Sequence, residues 1–376
     1  MKAGMTELAA RFGETLDHVM VERAIAEFRS ARPVLIHGDY GCILAMGVED
    51  LAMAQAGYLE KLAAGSCRLV LPAARLRTLG LNTKQAGSFA FETIDLNRLS
   101  QLALKSDARA DASVSPANSA DEDALELARL SLVLPAVLVI PVTEGMAIDD
   151  TVTSVNSDDL HKYRQISATH ARLVSRAAVP LDGAHESEFV VFRGGEGMRD
   201  QVAIIVGKPD LAQPVYVRLH SACLTGDLFG SLKCDCGDQL RATVRWMAEN
   251  QGGILLYLDQ EGRGNGIANK MRAYKLQAQG YDTYAADEVL GFDLDQRRFE
   301  FAADMLKQLG VKQVRILTNN PIKIEALRKS GLEVISDERV LGRLTNENRK
   351  YLATKRDKAG HLIDYDSFAT CAPRED

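Results

Sequence analysis

The chain has 376 residues, enough for two domains that each bury a core, and its 46% hydrophobic and 26% charged residues are typical of a globular protein. A net charge of −6 argues against a general nucleic-acid-binding protein, although a small anionic substrate could still occupy a locally basic pocket. The longest mainly apolar run, Leu130 to Val142, is interrupted by prolines and is too short to cross a bilayer, which argues against a membrane protein. The N-terminal segment lacks the apolar core of a secretory signal, so we expect reduced thiols in the cytoplasm.

The first half of the sequence alternates helical and strand patterns. Helical spacing of apolar residues predicts a helix over residues 5–30, and VLIH then begins a strand. Residues 45–65 are predicted as a second helix, 105–123 as a loop or partly disordered insert, and 161–177 as the last helix of this half.

A domain boundary is expected at residues 177–186, where proline, aspartate and glycine cluster as in a linker. We therefore predict one domain over residues 1–176 and a second over 177–376. In the second half, FVVFRG and VAIIVG form a predicted hairpin, and strands then alternate with helices. This order predicts an α/β fold, with mixed layers of helices and sheet in two domains.

Three of the six cysteines lie close together, at Cys223, Cys234 and Cys236. Thiolate sulfur binds Zn²⁺ tightly, and a site with three protein ligands keeps a fourth position open for water, as catalytic zinc sites do. The alternative is a set of ordinary buried cysteines, because Cys-x-Cys is less specific than paired Cys-x-x-Cys spacings.

A glycine-rich loop, QEGRGNG at residues 260–266, follows a strand and precedes a helix. Glycines let backbone N–H groups approach a phosphate, and a helix N-terminus favours an anion. Arg263 adds a guanidinium that can bind phosphate through two donors. The loop is neither a Walker loop nor a complete G-x-G-x-x-G, so a tight strand-to-helix turn is an equally good interpretation.

Other polar residues occupy strand ends. Arg218 and His220 alternate along the strand that enters the cysteine segment, so they share a face. Asp295 ends the turn GFDLD and Arg297 lies two residues further on, although isolated charges are usually solvated. Thr318 begins the segment TNNP, which is typical of a capped helix start, and Lys323 lies just beyond it.

Five motifs in order closely resemble GTP cyclohydrolase II, the first enzyme of riboflavin synthesis. They are RLHSACLTGDLFGSLKCDCGDQL, QEGRGNGIANKMRAYKLQAQGYDT, LGFDLDQRRF, ILTNNPIKIEAL and YLATKRDKAGHL, and the resemblance covers about residues 180–365. It implies a homodimeric zinc enzyme that converts GTP to 2,5-diamino-6-ribosylamino-4(3H)-pyrimidinone 5′-phosphate, formate and diphosphate. It also implies Mg²⁺ with the triphosphate, which neutralises charge on the leaving diphosphate.

The resemblance assigns roles to individual residues. Zinc held by the three cysteines would acidify a water that attacks C8 of guanine. Arg297 matches the proposed nucleophile at the α-phosphorus, and Asp295 matches the proton acceptor that an arginine nucleophile needs. Tyr274 matches a further active-site residue. The implied GTP contacts are Arg218, His220, Ser221, Ala222, Gln239, Glu261, Gly262, Arg263, Thr283, Thr318 and Lys323.

Two positions depart from the family pattern. Ala222 stands where the family often has Glu, and Asp259 stands where a basic residue is common. Asp259 would weaken GTP binding unless it points away from the substrate. Both departures favour one alternative, a zinc-dependent paralogue that acts on another nucleotide or base. A non-catalytic nucleotide-binding regulator is a second alternative, and the intact residues Cys223, Cys234, Cys236, Asp295 and Arg297 argue against it.

The first half more faintly resembles 3,4-dihydroxy-2-butanone 4-phosphate synthase, in AIAEFRSARPVLI, GSCRLVLPAARLRTLGL and ALELARLSLVLPAVLVI. The acidic Mg²⁺ loop of that family would fall near residues 37–50, where this chain has only Asp39 in the loop proper. A hard divalent cation needs several oxygen ligands. We therefore predict an inactive domain that keeps a packing role, with a bifunctional enzyme as a disfavoured alternative.

Overall fold

The computed structural model describes residues 16–167, 171–194, 199–292 and 297–340, and the single positions 342, 345, 348, 349, 353, 356, 357 and 362. These residues divide into two compact units. The first contains the described residues of Met1–Ile166, Ala268–Tyr281 and Ala285–Leu294. The second contains those of Ser167–Ile267, Asp282–Tyr284 and Asp295–Asp376.

The α-helices of the described chain are α1 (Leu16–Arg29), α2 (Met53–Ala63), α3 (Ala73–Thr78), α4 (Leu96–Leu104), α5 (Ser119–Leu130), α6 (Ser157–Ser167), α7 (Leu224–Asp227), α8 (Cys236–Glu249), α9 (Ile267–Ala278), α10 (Thr283–Val289), α11 (Glu300–Gln308) and α12 (Pro321–Lys329). The strands are β1 (Val34–Gly38), β2 (Gly41–Gly47), β3 (Cys67–Leu71), β4 (Gly87–Phe91), β5 (Ser115–Pro116), β6 (Val137–Pro141), β7 (Ser154–Asn156), β8 (Arg172–Ala178), β9 (Ser187–Arg193), β10 (Gln201–Val206), β11 (Val215–Ser221), β12 (Gly253–Leu258), β13 (Gln313–Leu317) and β14 (Glu333–Glu338). None of these helices is long and apolar enough to cross a membrane.

The first unit is built on a seven-stranded sheet in the order β5-β4-β3-β6-β2-β1-β7. Its neighbouring strands are antiparallel except for the parallel pair β1 and β7. Gly38 pairs with Gly41, so only Asp39 and Tyr40 form the turn between β1 and β2. Gly41 has φ = 98°, a left-handed conformation that glycine adopts without strain.

The second unit is built on another seven-stranded sheet, in the order β14-β13-β11-β12-β10-β9-β8. The first four strands of that order are parallel, and the last three are added antiparallel. The carboxyl ends of β11, β12 and β13 therefore lie side by side. Ligands of open α/β sheets bind at this edge, and the segments that follow these strands carry most of the residues singled out from the sequence.

The two sheets with their covering helices confirm the predicted α/β fold class in two units. The predicted boundary between residues 176 and 177 stays a prediction. Within the predicted helix over 5–30, the described part is helical over Leu16–Arg29, and residues 5–15 lie outside the described chain.

Three local predictions are wrong. Residues 45–47 end strand β2, and the helix predicted over 45–65 begins only at Met53. Residues 119–123 are not a loop but the first turns of α5, where the Asn118 side chain accepts a hydrogen bond from the Asp121 N–H at 3.0 Å. This N-cap overrides the low-complexity composition of the segment.

The predicted helix over 161–177 is wrong beyond Ser167, because Arg172–Ala178 forms strand β8. All seven residues of β8 are exposed, so the strand shows none of the alternation between apolar and polar positions that marks a half-buried strand. The expected linker that follows it connects β8 to its antiparallel neighbour β9 within one sheet.

Candidate active site

The three cysteines predicted as metal ligands come together at the end of β11. Cys223 lies two residues beyond the strand, and Cys236 is the first residue of α8. The Sγ atoms of Cys223, Cys234 and Cys236 lie within 4.8 Å of one another. Among the described residues, this is the one cluster of metal-ligating side chains that could hold an ion.

The backbone folds tightly around these thiols. A Cβ atom on Gly226 would lie 2.7 Å from the Sγ of Cys234 and 3.0 Å from that of Cys223, so only glycine fits there. A Cβ atom on Gly237 would lie 2.2 Å from the carbonyl oxygen of Gly226. Two glycines therefore allow the two cysteine-bearing segments to approach each other closely.

The electrostatics of the cluster favour a cation. A hydrogen bond with the Cys223 thiol raises the pKa of Cys234 to about 11. Several ionised thiols at this separation would repel each other, and a bound divalent cation relieves that repulsion. Three soft sulfur donors on a preformed backbone fit zinc.

Asp227 was not predicted from the sequence. It fixes the backbone where the cysteine segment begins after β11. Its carboxylate accepts a hydrogen bond from the Cys223 N–H at 2.8 Å and from the Tyr257 hydroxyl at 3.1 Å, and it lies 3.1 Å from Nε2 of His220. His220 is 3% exposed, and burial lowers its pKa. The signal in the sequence was an acidic residue one helical turn after a candidate ligand.

Arg218 lies beneath the carboxyl edge of the sheet and is 6% exposed. Its guanidinium donates to the carbonyl of Leu317 at 3.0 Å and to the side-chain oxygen of Gln239. Gln239 in turn donates to Asp235. Burial lowers the pKa of Arg218 to about 10, so the side chain remains charged at neutral pH.

The loop after β12 is tied to the cysteine segment through Glu261. The Glu261 carboxylate accepts hydrogen bonds from the N–H of Leu224 at 2.6 Å and from that of Gly262 at 3.0 Å. Gly262 and Arg263 have φ values of 62° and 61°, and this conformation is costly for arginine. The loop is therefore a tight turn with a strained residue at Arg263, and strain of this kind clusters at functional sites.

Arg263 is held over an aromatic ring. Its guanidinium carbon lies 4.2 Å from the ring centroid of Tyr284, which is 5% exposed. Thr283, the neighbour of that tyrosine, is the first residue of α10. The predicted substrate contacts Arg263 and Thr283 are thus linked through one buried ring.

Arg297 reaches the end of β11 from another segment. Its guanidinium donates to the Ser221 hydroxyl at 3.3 Å, and that hydroxyl donates to the side-chain oxygen of Gln260 at 3.2 Å. Asp295 lies outside the described residues. Tyr274 is half-buried in α9, which belongs to the first unit from Ala268 onward.

The segment after β13 forms the predicted capped helix start. The Asn320 side chain accepts from the N–H of Ile322 at 3.0 Å, and Pro321 is the first helical residue of α12. Thr318 accepts from the N–H of Asn320 at 3.0 Å. Lys323 is 7% exposed and donates to the carbonyl of Leu219 in β11 at 2.6 Å.

The two positions that depart from the family pattern also have structural partners. The N–H of Ala222 donates to the carbonyl of Leu258 at 2.7 Å, which continues the pairing of β11 with β12. Asp259 forms an ion pair with Arg199 at 3.4 Å. The negative charge of Asp259 is therefore balanced by Arg199, which lies in a different segment of the chain.

The fold and the site together define a class: a two-unit α/β protein with a cluster of three cysteines that could hold a metal ion, beside buried cationic side chains at the carboxyl edge of a sheet. The model of the GTP cyclohydrolase II family matches residues 172–340. GTP cyclohydrolase-2 of Xylella fastidiosa strain Temecula1 is 43% identical over 366 residues, which cover 96% of this chain and 92% of the relative. The chain belongs to the GTP cyclohydrolase II family.

Two further relatives are similar to only part of this chain. GTP cyclohydrolase-2 of Azospirillum brasilense is 42% identical over 251 residues, 65% of each chain. The riboflavin biosynthesis protein RibBA of Bacillus cereus ATCC 14579 is 42% identical over 217 residues, 57% of this chain and 53% of the relative. A solved two-domain 3,4-dihydroxy-2-butanone 4-phosphate synthase from A. baumannii covers 85% of this chain and 99% of its own at 14% identity, but its TM-score of 0.31 carries no conclusion about fold.

Proposed function

We propose that this chain hydrolyses GTP to 2,5-diamino-6-ribosylamino-4(3H)-pyrimidinone 5′-phosphate, formate and diphosphate, the first step of riboflavin biosynthesis. One observation carries the proposal. The thiol cluster begins at Cys223, and Arg297 donates to Ser221, so two chemical centres meet at the end of β11. One centre suits the opening of a ring, and the other suits an attack on a phosphate.

The metal in this proposal is zinc, held by Cys223, Cys234 and Cys236. When bound, it would supply Lewis acidity for the hydrolytic opening of the imidazole ring. Asp227 fixes the backbone at Cys223 through the 2.8 Å hydrogen bond. Mg²⁺ is proposed to accompany the triphosphate of the substrate.

Arg297 is the proposed nucleophile at the α-phosphorus: its attack would form a P–N bond as the bond to diphosphate breaks, and water would then hydrolyse the P–N bond to leave a 5′-phosphate. The guanidinium of Arg297 must lose a proton to attack, and Asp295 is the proposed acceptor. Tyr274 is proposed to act in the ring chemistry. The other proposed contacts with GTP are Arg218, His220, Ser221, Gln239, Glu261, Gly262, Arg263, Thr283, Thr318 and Lys323.

For the N-terminal half we propose a degenerate synthase-like domain over residues 1–176, with the catalytic domain over 177–376. The acidic Mg²⁺ loop expected after the first strand is replaced by the two-residue turn Asp39–Tyr40. A turn of this length cannot supply the several oxygen ligands that Mg²⁺ takes. The enzyme is further proposed to be a homodimer, as its family resemblance implies, and to be located in the cytoplasm.

The test is GTP turnover by the zinc-loaded chain, measured as release of formate and diphosphate. The parent should release both products, and Cys234→Ser and Arg297→Ala should abolish the activity. Arg315→Ala is a matched control for Arg297→Ala. Like Arg297, Arg315 donates to a hydroxyl, that of Tyr216 at 3.2 Å, and its guanidinium lies over an aromatic ring, that of the same tyrosine. Cys67→Ser serves the same purpose for a buried thiol outside the cluster. A zinc-loaded parent that releases neither product would refute the proposal.

A second candidate is a paralogue that acts on another nucleotide or base, and Ala222 is the observation that favours it. Alanine at this position removes a carboxylate that the family often has beside the first cysteine. A formate-release screen across purine and pyrimidine nucleotides separates the candidates. GTP should give the highest kcat/KM, and faster turnover of another nucleotide would favour the paralogue.

A further inference from the structure

One stretch of the cyclohydrolase sequence folds into the N-terminal unit. The family match runs from residue 172 to 340. Yet Ala268–Tyr281 and Ala285–Leu294, which lie inside that match, belong to the first unit together with the described residues up to Ile166. Only Asp282–Tyr284 between them belong to the second unit. The first unit therefore contains the helix that carries Tyr274.

Apolar residues of this stretch complete the core of the first unit. A single buried cluster joins them to residues of β3, β4 and α4 such as Leu69, Phe89 and Leu102. The members from the later stretch are Ala273, Leu276, Ala286, Val289, Leu290 and Phe292. Each of them is at most 8% exposed, so α9 and α10 are integral parts of this core.

Arg75 in α3 fixes the end of α10. It is 1% exposed, and its guanidinium donates to the carbonyl of Val289, the last residue of α10, at 3.0 Å. The same guanidinium donates to the carbonyls of Leu102 at 2.7 Å and Lys105 at 2.8 Å. A helix C-terminus has carbonyls without partners in the helix, and a cation is favoured there. Arg75 thus joins the C-terminal ends of α4 and α10.

Glu49 fixes α9 through an ion pair with Arg272 and a hydrogen bond from a backbone N–H. One carboxylate oxygen lies 2.6 Å from the guanidinium of Arg272, and the other accepts from the N–H of Leu134 at 2.7 Å. Arg272 also donates to the side chain of Asn269 at 2.7 Å, and Asn269 donates to the carbonyl of Leu132 at 3.2 Å. Because these groups lie within two turns of one helix, they set both its position and its rotation.

We infer that the N-terminal unit supports catalysis by holding α9 and the end of α10, with Glu49 as the positioning residue for Tyr274 and Arg75 as the residue that fixes the end of α10. Tyr274 lies two residues after Arg272 and next to Ala273, which is buried in the core. The direction of its side chain is therefore set by the packing of α9 in the first unit.

The effect on catalysis that this inference predicts depends on the proposed function. The substitution Glu49→Gln tests the inference. This substitution keeps the shape of the side chain and removes the charge that holds Arg272. We expect kcat for GTP to fall about tenfold with a smaller change in KM, because slight misplacement of a catalytic group lowers the rate strongly. Bound zinc should remain at the parental level.

Asp121→Asn is the matched control within the same unit. Asp121 also receives an arginine on one oxygen, Arg68 at 2.6 Å, and a backbone N–H on the other, that of Asn118 at 3.1 Å. Neither partner belongs to the later stretch. We expect this variant to lose stability but to keep kcat within about twofold of the parent. An equal fall in kcat for both variants would overturn the inference.

Two further measurements separate positioning from general loosening. In a Tyr274→Phe background, Glu49→Gln should lower kcat much less than it does in the parent, because both changes act through one side chain. Amide hydrogen exchange in α9 should accelerate in Glu49→Gln and stay unchanged in Asp121→Asn. The exchange measurement needs no turnover, so it would still support the inference if the proposed function failed. Unchanged exchange and fully additive kinetics would refute it.

Discussion

The buried carboxylates beside the first sheet and the buried arginine Arg218 of the second sheet differ in their partners. In the first unit, Asp121 pairs with Arg68 at 2.6 Å, and Asp123 accepts from the Tyr40 hydroxyl at 2.7 Å and lies 2.8 Å from His161. A divalent cation would have to displace these partners before it could use either carboxylate. In the second unit, Arg218 donates to neutral oxygens instead, and such a buried cation is suited to an anion.

The connections that follow the strands also differ between the two sheets. In the first unit, β1 turns into β2 within two residues, which leaves no length for a binding loop. In the second unit, parallel strands require longer crossovers, and the segments after β11, β12 and β13 meet at one edge. Parallel pairing therefore gives the second sheet an edge on which polar groups from several segments can converge, whereas the hairpin gives the first sheet none at the corresponding strand.

The largest effect is expected from Gly226→Ala, which tests whether the thiol cluster depends on its backbone. The new methyl group would lie 2.7 Å from the Sγ of Cys234, so the cysteine segments must separate. We expect zinc content to fall to a small fraction of the parent and turnover to fall at least about a hundredfold, since displaced ligands weaken the metal site strongly. Metal analysis and formate release measure both effects.

Gly57→Ala in the first unit is its control. Gly57 lies inside α2 and has nothing within 4 Å of the position of a new Cβ. Alanine there should raise the free energy of unfolding by about 0.5–1 kcal/mol without changing turnover. Normal zinc binding by Gly226→Ala would contradict the assignment of this glycine as a requirement of the metal centre.

An intermediate effect is expected from Asp227→Asn. Cys223 and Tyr257 both donate to Oδ2 of Asp227, and His220 lies 3.1 Å from Oδ1. Asparagine replaces one of these two oxygens with an NH2 donor and removes the negative charge, so the contacts that hold the backbone at the first cysteine weaken. Groups that orient metal ligands typically contribute about ten- to a hundredfold to metal affinity or activity. A chelator competition assay should therefore show weaker zinc binding, with a parallel loss of turnover at low zinc.

Asp123→Asn is the corresponding change in the first sheet. It removes a carboxylate that also serves a tyrosine hydroxyl and a histidine. Thermal unfolding should shift to lower temperature, while zinc affinity stays at the parental value. If Asp123→Asn weakened zinc binding as much as Asp227→Asn does, the contrast between the two sheets would fail.

Much of the site could be predicted because its residues come in short segments of fixed spacing. The cluster of Cys223, Cys234 and Cys236 and the capped start at Asn320 are local features, and the structure confirms both geometries. Asp227 was missed because its role depends on contacts with His220 and Tyr257 across the sheet. No spacing rule encodes such contacts.

In the first unit, by contrast, the packing of distant segments could not be predicted from the sequence. Sequence patterns did not indicate that α9 and α10 would pack with residues near Arg75, about two hundred positions earlier in the chain. The exposed strand β8 was predicted as a helix because edge strands without a buried face carry no alternation. Pairing between distant segments decides both cases, and periodicity in a short window cannot detect it.

A smaller effect is expected from Lys323→Met, which tests whether the cationic edge of the second sheet binds the substrate. Methionine keeps the apolar length of the side chain but removes the charge. We expect KM for GTP to rise about tenfold with little change in zinc content, because one charged hydrogen bond to a phosphate is lost. Lys307→Met is the control, since Lys307 also donates to a backbone carbonyl, that of Ser330. Equal KM values for both variants would contradict the proposed contact.

The smallest effect is expected at the pair of Arg199 and Asp259, which tests how the cationic edge accommodates an acid beside the glycine-rich loop. Arg199→Ala leaves Asp259 without its partner directly before that loop, so the carboxylate should repel the triphosphate. We expect KM for GTP to rise about two- to threefold at low ionic strength and less in 0.5 M salt, because partly exposed charges are screened. Adding Asp259→Asn should restore the parental KM. If the single variant binds GTP normally at low salt, Asp259 points away from the substrate, and the ion pair has only a structural role.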